Sequence, residues 1–600
     1  METKDIFGFI QEQEASYKRT IPMMGGSWNW SMLDHIKTSF LYKNSQLLNG
    51  KDEFTPVKNI TRPILNLQKR AEDIDVKDVQ LYVDDKDKYH LSFLVKKYHD
   101  DVFVVENDID SFIDQLNESR IDYGAGLTKR IGKGQREVVP LQSIAFCDQT
   151  DILSGPIGIK HYYSPSQLMD MASKGWGDQS KGATATLEEA IGLARKVKRD
   201  TADSRQADTP GKYIEIYEVH GNMPKSYMDP TDKSGQYVDQ IFIGCFYEKL
   251  NGEKGKITLF HMPEAVSPFK LVKRDAVYGR ALGFGGAEEL FESQLWVNYD
   301  MIRMQHMLDA ASKTILKATG VNSSVIAQKN KVKNMDNLQI IDVGQDSDLS
   351  MVDTFPRNLA LFEKSVENWE AHAQQMGSAN DAIMGESPTS GTPFKLQELV
   401  TQESHGLHDF RRGQYAKHLE EIYRDDYIPY IQKKICEGTT FLAELSLEEL
   451  QYVTDCLVRN AANTYIKERI LSGELVDDQE VEAIKQRIRD DMQAKGSKHF
   501  IEILKGEFKD AKLSVKVNIA GKQKNLASVV DKVVNVFRFA FSNPMGFAQT
   551  MQIPGMAKSF NDILEFSGLS VVDFSGVDKI AEKMAAQAAP QTPQPASQIA

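Results

Sequence analysis

Two histidines have the spacing that a metal site needs. His405 and His408 lie three residues apart, so on a helix they would share one face, as two ligands of one metal must. The sequence has no H-E-x-x-H motif and no third ligand at a suitable spacing. We therefore interpret both as solvated helix histidines beside an inter-subunit surface, and we predict no metal site.

A run of glycines before a helix is the second pattern that could carry chemistry. Gly279, Gly283, Gly285 and Gly286 lie in GRALGFGGAEE, and such a run can hold a phosphate at a helix N-terminus. Glu288 occupies the place of the third glycine of a dinucleotide fingerprint, and the G-K-[ST] ending of a P-loop is missing. A tight turn that leads into a long helix is the better interpretation.

Other catalytic signatures are missing from the sequence. Adjacent acids such as Asp100/Asp101 and Asp425/Asp426 are common on an acidic surface and indicate no general acid or base. There is no G-x-S-x-G elbow, and the four cysteines lie far apart, without disulfide or zinc spacing. We predict no catalytic residues, no metal and no cofactor, and we expect that the protein is not an enzyme.

Length, composition and charge limit the classes of protein to which this chain can belong. The chain has 600 residues, 41% of them hydrophobic, which suits roughly two to four domains with a sizeable core. It shows no basic leader and no run of ~18 apolar residues, so we expect a soluble protein of a reducing compartment. A net charge of −13 argues against tight general binding of nucleic acid, which depends on Lys and Arg.

Two long amphipathic helices dominate the middle of the chain, from about Ala287 to Lys317 and from about Asn358 to Ile383. Their apolar residues recur in steps of three, four and seven, which places them on one face of each helix. These residues are Leu290, Val297, Met301, Met304, Leu308, Ala311 and Ile315, then Phe362, Val366, Trp369, Ala373, Met376 and Ile383. We predict that the helices pack lengthwise, with the polar segment between them at one tip.

Strands are predicted by alternating apolar residues and by turn-forming separators. An antiparallel meander is expected from Tyr213–Val219, Tyr237–Tyr247 and Lys256–His261. Further strands are expected at Val79–Val83, Val102–Glu106, Leu141–Cys147 and 513–519. The predicted fold class is α+β with helices dominant.

Helix starts are marked by capping residues. Ser164, Pro165 and Gln167 have the pattern of a capping box, and Thr186–Glu189 repeats it before a basic helix. Residues 446–449 predict the start of another helix. A further helix is expected at 525–541.

Charged residues mark the second long helix and the tip. Glu363, Glu367 and Glu370 fall at i, i+4 and i+7, so one stripe of the helix is acidic, a pattern that is also typical of a solvated face. The tip has a basic and then an acidic group, Lys329, Lys331 and Lys333 followed by Asp342, Asp346 and Asp348. This succession suits either a docking surface between neighbouring copies or a solvated loop.

The order of these parts resembles the portal proteins of tailed double-stranded DNA bacteriophages. In that family a β-rich wing is followed by a glycine-containing turn and a helix with Gln and Asn, here YGRALGFGGAEELFESQLWVN with Gln294 and Asn298. A clip with short strands, a second stem helix, the small-residue tunnel loop GESPTSGTPFK (Gly385–Lys395) and a long helix (Leu396–Tyr427) come next. The resemblance covers about residues 270–430 and is carried by order and spacing.

The resemblance implies a portal-like fold with a β-rich wing, two long stem helices, a small α/β clip, a tunnel loop and a helical crown. The implied divisions are 1–285 wing, 286–319 stem helix, 320–355 clip, 356–384 stem helix, 385–395 tunnel loop, 396–524 wing, 525–585 crown and 586–600 disordered tail. The tunnel loop would contain Gly385, Glu386, Ser387, Pro388, Thr389, Ser390, Gly391 and Thr392. A plain helix–helix linker is the other interpretation of this loop.

The resemblance also implies partners and a location. Portal subunits form a ring, usually of twelve copies, at one capsid vertex, where DNA enters and leaves, and the portal itself hydrolyses nothing. The implied partners are the major capsid protein, the large terminase subunit, head-completion or tail adaptor proteins, and double-stranded DNA in the channel. No membrane is expected among the partners. The chain would be part of the virion and lie in the host cytoplasm during assembly.

Within this scheme the charged groups have expected places. Glu363, Glu367 and Glu370 are candidates for the channel lining, and the clip lysines and aspartates are candidates for docking. The alternatives are a divergent phage nuclease or nucleotidyltransferase, for which no carboxylate–metal cluster can be assembled, and another ring-forming tail adaptor.

Overall fold

The computed structural model describes most of the chain as far as residue 517. The described residues are 5–23, 28–45, 58–83, 89–177, 183–197, 214–229, 231–232, 234–248, 254–312, 316–320, 347–351, 359–379, 406–437, 447–472, 478–509, 511, 513–517 and 538. Contacts divide the chain into two units, Met1–Val76 with Leu81–Val515 and Lys77–Gln80 with Lys516–Ala600. Only 77–80, 516–517 and 538 of the second unit are among the described residues.

Helices dominate the described residues, as predicted. They are α1 (Ile6–Tyr17), α2 (Met32–Lys43), α3 (Thr61–Ala71), α4 (Tyr89–Tyr98), α5 (Val104–Asn107), α6 (Ile109–Tyr123), α7 (Pro165–Asp170), α8 (Ala183–Val197), α9 (Gly286–Glu289), α10 (Phe291–Ser312), α11 (Leu359–Met376), α12 (Gly406–Ile422), α13 (Ile428–Glu437), α14 (Leu447–Leu471) and α15 (Asp478–Lys509). Among these described elements, no helix is both long and apolar enough to span a membrane.

The strands are 3 to 12 residues long and belong to sheets of two, three and five strands. They are β1 (Ile21–Met23), β2 (Trp28–Trp30), β3 (Val79–Val83), β4 (Ala125–Gly132), β5 (Gln135–Val139), β6 (Ile144–Phe146), β7 (Ile157–Tyr163), β8 (Ile214–Pro224), β9 (Tyr237–Glu248), β10 (Lys254–Pro263), β11 (Phe269–Lys273), β12 (Leu316–Gly320), β13 (Ser347–Met351) and β14 (Leu513–Val517). Together with the helices they confirm the mixed α+β class.

The largest sheet has five strands in the order β10-β9-β8-β7-β6, all antiparallel. The predicted meander β8-β9-β10 is therefore confirmed, although β8 ends five residues later than predicted, at Pro224, which pairs with Tyr237. The two faces of this sheet border different hydrophobic cores, because successive residues of a strand point to opposite faces. Val219 belongs to the first core, with residues of α1, and Ile216 belongs to the second core, with residues of α8. A second sheet, in the order β11-β4-β5, borders the first core.

The glycine run forms the tight turn that was predicted. A Cβ atom on Gly124, which has φ +80°, would lie 2.3 Å from the carbonyl oxygen of Gly283, and a Cβ atom on Gly285 would lie 2.7 Å from the Gly124 nitrogen. Two backbone segments therefore meet at a distance that only glycine allows. The chain enters α9 at Gly286, directly after this contact.

The two long helices form an antiparallel pair, which we call the helical hairpin: α10 and α11 with the strands β12 and β13 between them. The first helix was predicted to reach Lys317, but it ends at Ser312, because Leu316–Gly320 pairs as a strand with Ser347–Met351. The second helix ends at Met376, and Ser378 adopts φ +51° directly after it. The predicted continuation to Ile383 is wrong for 377–379, which form a turn, and 380–383 lie outside the described residues.

Several smaller predictions need correction. The predicted strand Val102–Glu106 is helical, because the chain continues from α4 through one π-helical turn (His99–Phe103) into α5 and buries Phe103. Leu141–Ser143 is a 3₁₀ turn, and the strand occupies only Ile144–Phe146.

The predicted helix starts have different outcomes. Thr186 lies inside α8, which begins at Ala183, so it does not cap that helix. The capping box at Ser164 is confirmed, with Gln167 bonded back to the Ser164 amide.

The C-terminal predictions are only partly within the described residues. The long helix predicted at Leu396–Tyr427 appears as α12, which continues through a π-helical turn (Tyr423–Tyr427) into α13. The strand predicted at 513–519 is β14. Of the predicted crown at 525–585, Arg538 alone is described, as helical, and the tail at 586–600 lies outside the described residues.

Candidate functional site

The helical hairpin is held together by a ladder of contacts between α10 and α11. The Ser293 hydroxyl hydrogen-bonds with His372 Nδ1 at 3.0 Å, the rings of Trp296 and Trp369 stack with centroids 6.0 Å apart and planes 10° apart, and the Ser365 hydroxyl donates to Asp300 at 2.7 Å. Each step forward along α10 is matched by an equal step back along α11. The two helices are therefore antiparallel and in contact lengthwise, as their periodicity predicted.

The strands continue the same pairing beyond the helices. β12 and β13 are antiparallel, with Leu316 opposite Met351 and Gly320 opposite Ser347. Asp348, one of the predicted docking residues, lies in β13 opposite Thr319. The other five predicted docking residues lie outside the described residues: Lys329, Lys331, Lys333, Asp342 and Asp346.

The acidic stripe of α11 divides into two exposed carboxylates and one paired carboxylate. Glu363 and Glu367 are exposed, whereas Glu370 is half-buried and pairs with Lys58 at 2.5 Å. At about 100° per residue the stripe lies to one side of the buried ridge that Val366 and Ala373 form, and the stacked Trp369 lies to the other side. The stripe is therefore a surface feature of α11 with two solvent-exposed carboxylates.

Gln294 joins the base of the hairpin to α3. Its side-chain oxygen accepts hydrogen bonds from the Ile60 amide at 2.9 Å, the Thr61 amide at 3.2 Å and the Thr61 hydroxyl at 3.0 Å. Its amide group donates to the Lys58 carbonyl and to Asn298 Oδ1, both at 2.8 Å. Ile60 has no capping side chain of its own, so the fully buried Gln294 satisfies donors at the start of α3.

A buried ionic cluster lies beside this join and contains three arginines, two glutamates and a histidine: Arg120, Arg274, Arg411, Glu72, Glu289 and His408. Glu72 is at its centre and accepts hydrogen bonds from Arg120 at 2.7 Å and from Arg274 at 2.9 Å. Burial by itself would raise the pKa of Glu72, but Arg120, His408 and Arg274 outweigh it and hold the pKa well below its ordinary value.

The ionic cluster ties distant segments of the chain to the start of the hairpin. Glu289, at the end of α9, receives Arg411 of α12 at 2.5 Å and Arg274 at 3.2 Å. Gln68 of α3 donates to Glu289 at 3.2 Å and to the Gly377 carbonyl, directly after α11, at 3.1 Å. Both helices of the hairpin are therefore fixed at the same place.

Two sequence interpretations are wrong here. His408 is fully buried and bridges Glu72 (Nδ1, 3.2 Å) and the carbonyl of Ser378 (Nε2, 3.3 Å), so it is not a solvated histidine. Asp426 is buried and pairs with Arg136 and, at 3.3 Å, with Arg130, so it does not belong to a plain acidic surface. Both residues have partners far away in the sequence, which spacing along the chain does not reveal.

The predicted tunnel loop lies in a part of the chain that the structure does not describe. Gly385, Glu386, Ser387, Pro388, Thr389, Ser390, Gly391 and Thr392 lie outside the described residues, as does His405. The nearest described positions are Ala379, which is buried against the base of the hairpin, and Gly406 at the start of α12.

A second buried charged group lies in the five-stranded sheet and was not identified from the sequence. Glu218 receives Lys129 at 2.7 Å and hydrogen-bonds with Nε2 of His161 at 2.7 Å and of His220 at 3.0 Å. The Nδ1 atom of His220 lies 2.9 Å from Glu264. Burial favours the neutral form of His220, but hydrogen bonds to Glu218 and Glu264 outweigh this and raise its pKa.

The partners of Glu218 keep it in its charged form. Burial opposes the charge on Glu218, yet its hydrogen bonds to the two histidines and its pairing with Lys129 keep its pKa well below the ordinary value. Within the described ranges, no set of three or more His, Cys, Asp or Glu is placed to hold a metal ion. Alternation along β8 puts residues 218 and 220 on one face, the signal that could have identified this pair.

Comparisons with known proteins are weak. No family model and no curated protein matches the sequence. The structure is similar to a chain of "Virion of native gene transfer agent (GTA) particle", with a TM-score of 0.27, 9% identity, and coverage of 79% of this chain and 98% of that chain. It is also similar to a chain of "Neck of native GTA particle computed with C12 symmetry", with a TM-score of 0.30, 8% identity, and coverage of 66% and 89%. Likeness at these TM-scores carries no argument about fold or function.

Proposed function

We propose that this chain is the subunit of a portal ring, the conduit through which a phage genome enters and leaves a capsid. The observation that carries the proposal is the helical hairpin, whose helices pack lengthwise, end in paired strands and are fixed together at their base. Several copies of such a hairpin arranged around one axis would form the wall of a channel. The paired strands would form the clip at its end.

The charge of the chain suits a conduit for a polyanion. Each contact between a phosphate and Lys or Arg releases counterions and strengthens binding, so a basic wall would retain DNA. Twelve copies would carry about −156, twelve times the −13 of one chain, which disfavours adhesion along the bore. Glu363 and Glu367, both exposed, are the candidates for this lining, and Glu370 would stabilise the hairpin through Lys58.

The remaining roles follow from the same proposal. The clip would dock the large terminase subunit during packaging and tail or adaptor proteins afterwards, and the major capsid protein would surround the ring. The protein would work without a cofactor and hydrolyse nothing itself, in the virion and, before that, in the host cytoplasm.

Electron microscopy of the purified full-length chain, with native mass spectrometry, tests the proposal. We expect closed rings with cyclic symmetry, a mass that is a whole multiple of the subunit mass with twelve copies as the expected number, and no hydrolysis of ATP or DNA. A stable monomer would overturn the proposal. Metal-dependent cleavage of DNA that is lost on changing one Asp or Glu would favour the nuclease alternative instead.

A further inference from the structure

Tyr278 lies at the tip of a hydrogen-bonded loop and is exposed to solvent. The loop is closed by the Phe284 amide, which donates to the Asp275 carbonyl at 2.7 Å. Arg280, which is buried, donates to the carbonyls of Leu282 and Gly283. The side chain of Tyr278 itself is completely exposed. A tyrosine on a fixed loop loses little freedom on binding and belongs to the residue types that anchor interfaces.

The bonds of Arg280 make this loop a rigid unit with the start of the hairpin. Its two terminal nitrogens donate to Glu288 of α9 at 2.8 and 2.6 Å. A paired fork of this kind fixes the orientation of the guanidinium as well as its position. The backbone of the loop therefore holds Tyr278 at a fixed position relative to α9.

An open cleft of about 330 Å³ lies at the end of β10. Its apolar lining includes Phe260, Met262 and Val266, and the last two side chains are 50% and 63% exposed. Arg130 and Glu264 provide a positive and a negative group at the same cleft. Met262 and Val266 therefore leave apolar surface at the cleft that a second molecule would bury.

The cleft has the chemistry that a tyrosine side chain needs. Apolar walls can cover the ring, and the guanidinium of Arg130 can lie over its face in a cation–π contact. Glu264 accepts from His220 Nδ1 at 2.9 Å and has lone pairs left for a phenol hydroxyl. A lysine or a carboxylate in this place would leave the apolar walls uncovered, so an aromatic residue with a polar tip fits best.

The tyrosine and the cleft lie beyond opposite ends of one strand. β11 runs from Phe269 to Lys273, about 17 Å at 3.3 Å per residue, with the cleft residues before it and Tyr278 after it. The complete exposure of Tyr278 shows that it does not occupy its own cleft. A knob and a cleft at different places on one molecule make a head-to-tail contact, which closes into a ring when the rotation allows.

We propose that the Tyr278 loop of one copy inserts into the cleft of a second copy of this chain. The inference rests on the proposed function, since it names one contact by which the copies of the ring associate.

Disulfide cross-linking tests this contact. The double variant Tyr278→Cys with Val266→Cys is oxidised after assembly and run on a non-reducing gel. We expect a ladder of cross-linked multimers, which each single variant does not give. Tyr278→Cys with Val105→Cys is the matched control, because Val105 is 74% exposed, lies on α5 and is not one of the residues that line the cleft.

The outcomes separate the two proposals. Closed rings without a ladder would overturn this contact and leave the portal proposal intact, whereas a ladder from open filaments would support the contact and contradict the ring. In addition, Tyr278→Ala should raise the concentration needed for half-assembly at least tenfold, and Tyr237→Ala, another exposed tyrosine, should not. Equal assembly of the two alanine variants would also overturn the contact.

Discussion

Replacing Gln294 by methionine is expected to loosen the join between the helical hairpin and α3. Methionine has nearly the same volume but neither accepts nor donates these hydrogen bonds, so the change tests the bonds rather than the packing. It removes the acceptor of the Ile60 amide, the Thr61 amide and the Thr61 hydroxyl. All of these donors lie where α3 begins.

The magnitude follows from the cost of buried donors that lose their partners. Each unsatisfied buried group costs about 1–3 kcal/mol, and neighbouring groups are not additive. For the site as a whole we expect the free energy of local opening to fall by about 2–5 kcal/mol. At 1.4 kcal/mol per tenfold, the opening equilibrium of this segment would rise about 30-fold to several thousand-fold.

Hydrogen–deuterium exchange of peptides that cover 58–71 measures this local opening. We expect much faster exchange at the start of α3 in Gln294→Met and unchanged exchange in Gln305→Ala, which alters an exposed glutamine of the same helix. Equal protection of these amides in both variants would refute the reasoning. The Gln294 side chain would then stabilise the join by its packing and not by its hydrogen bonds.

Other predictions concern charge. Changing Glu363 and Glu367 together to lysine should leave ring assembly intact, because both side chains are exposed, and should hinder DNA packaging and ejection; unchanged DNA passage would remove them from the channel wall. Glu72→Gln should lower the free energy of unfolding by about 3–5 kcal/mol, because buried arginines lose their charged partner. Chemical denaturation measures this change, and an unchanged midpoint would contradict it. The pKa of His220 is raised in the fold, so its contribution to stability is present below the ordinary pKa of about 6.5 and lost as pH rises through the raised value. His220→Gln should therefore melt lower than the parent at pH 6 by a margin that shrinks at higher pH, and a constant margin would sink this assignment.

The elements that sequence reasoning identified are those whose signal is local. The strand at Val79–Val83 and the capping box at Ser164 are found as predicted, because alternation and side-chain caps act over a few residues. The lengthwise packing of α10 and α11 was also predictable, since their apolar ridges recur at helical spacing. These signals need no knowledge of distant contacts.

The errors have a common physical origin in contacts between distant segments. Val102–Glu106 is rich in β-branched residues, yet it continues a helix because Phe103 packs beside Tyr427 with ring centroids 5.1 Å apart. The first hairpin helix stops early because β12 finds a partner about thirty residues later in the chain. His408 meets Glu72 only in the folded chain. Sequence spacing contains no information about such pairs.

The most direct test of the portal account is a cryo-electron microscopy reconstruction of the purified assembly. We expect a closed ring in which the helical hairpins of all copies surround one open bore, with Glu363 and Glu367 turned toward it. A hairpin packed inside a single self-contained subunit, with no bore, would contradict the account.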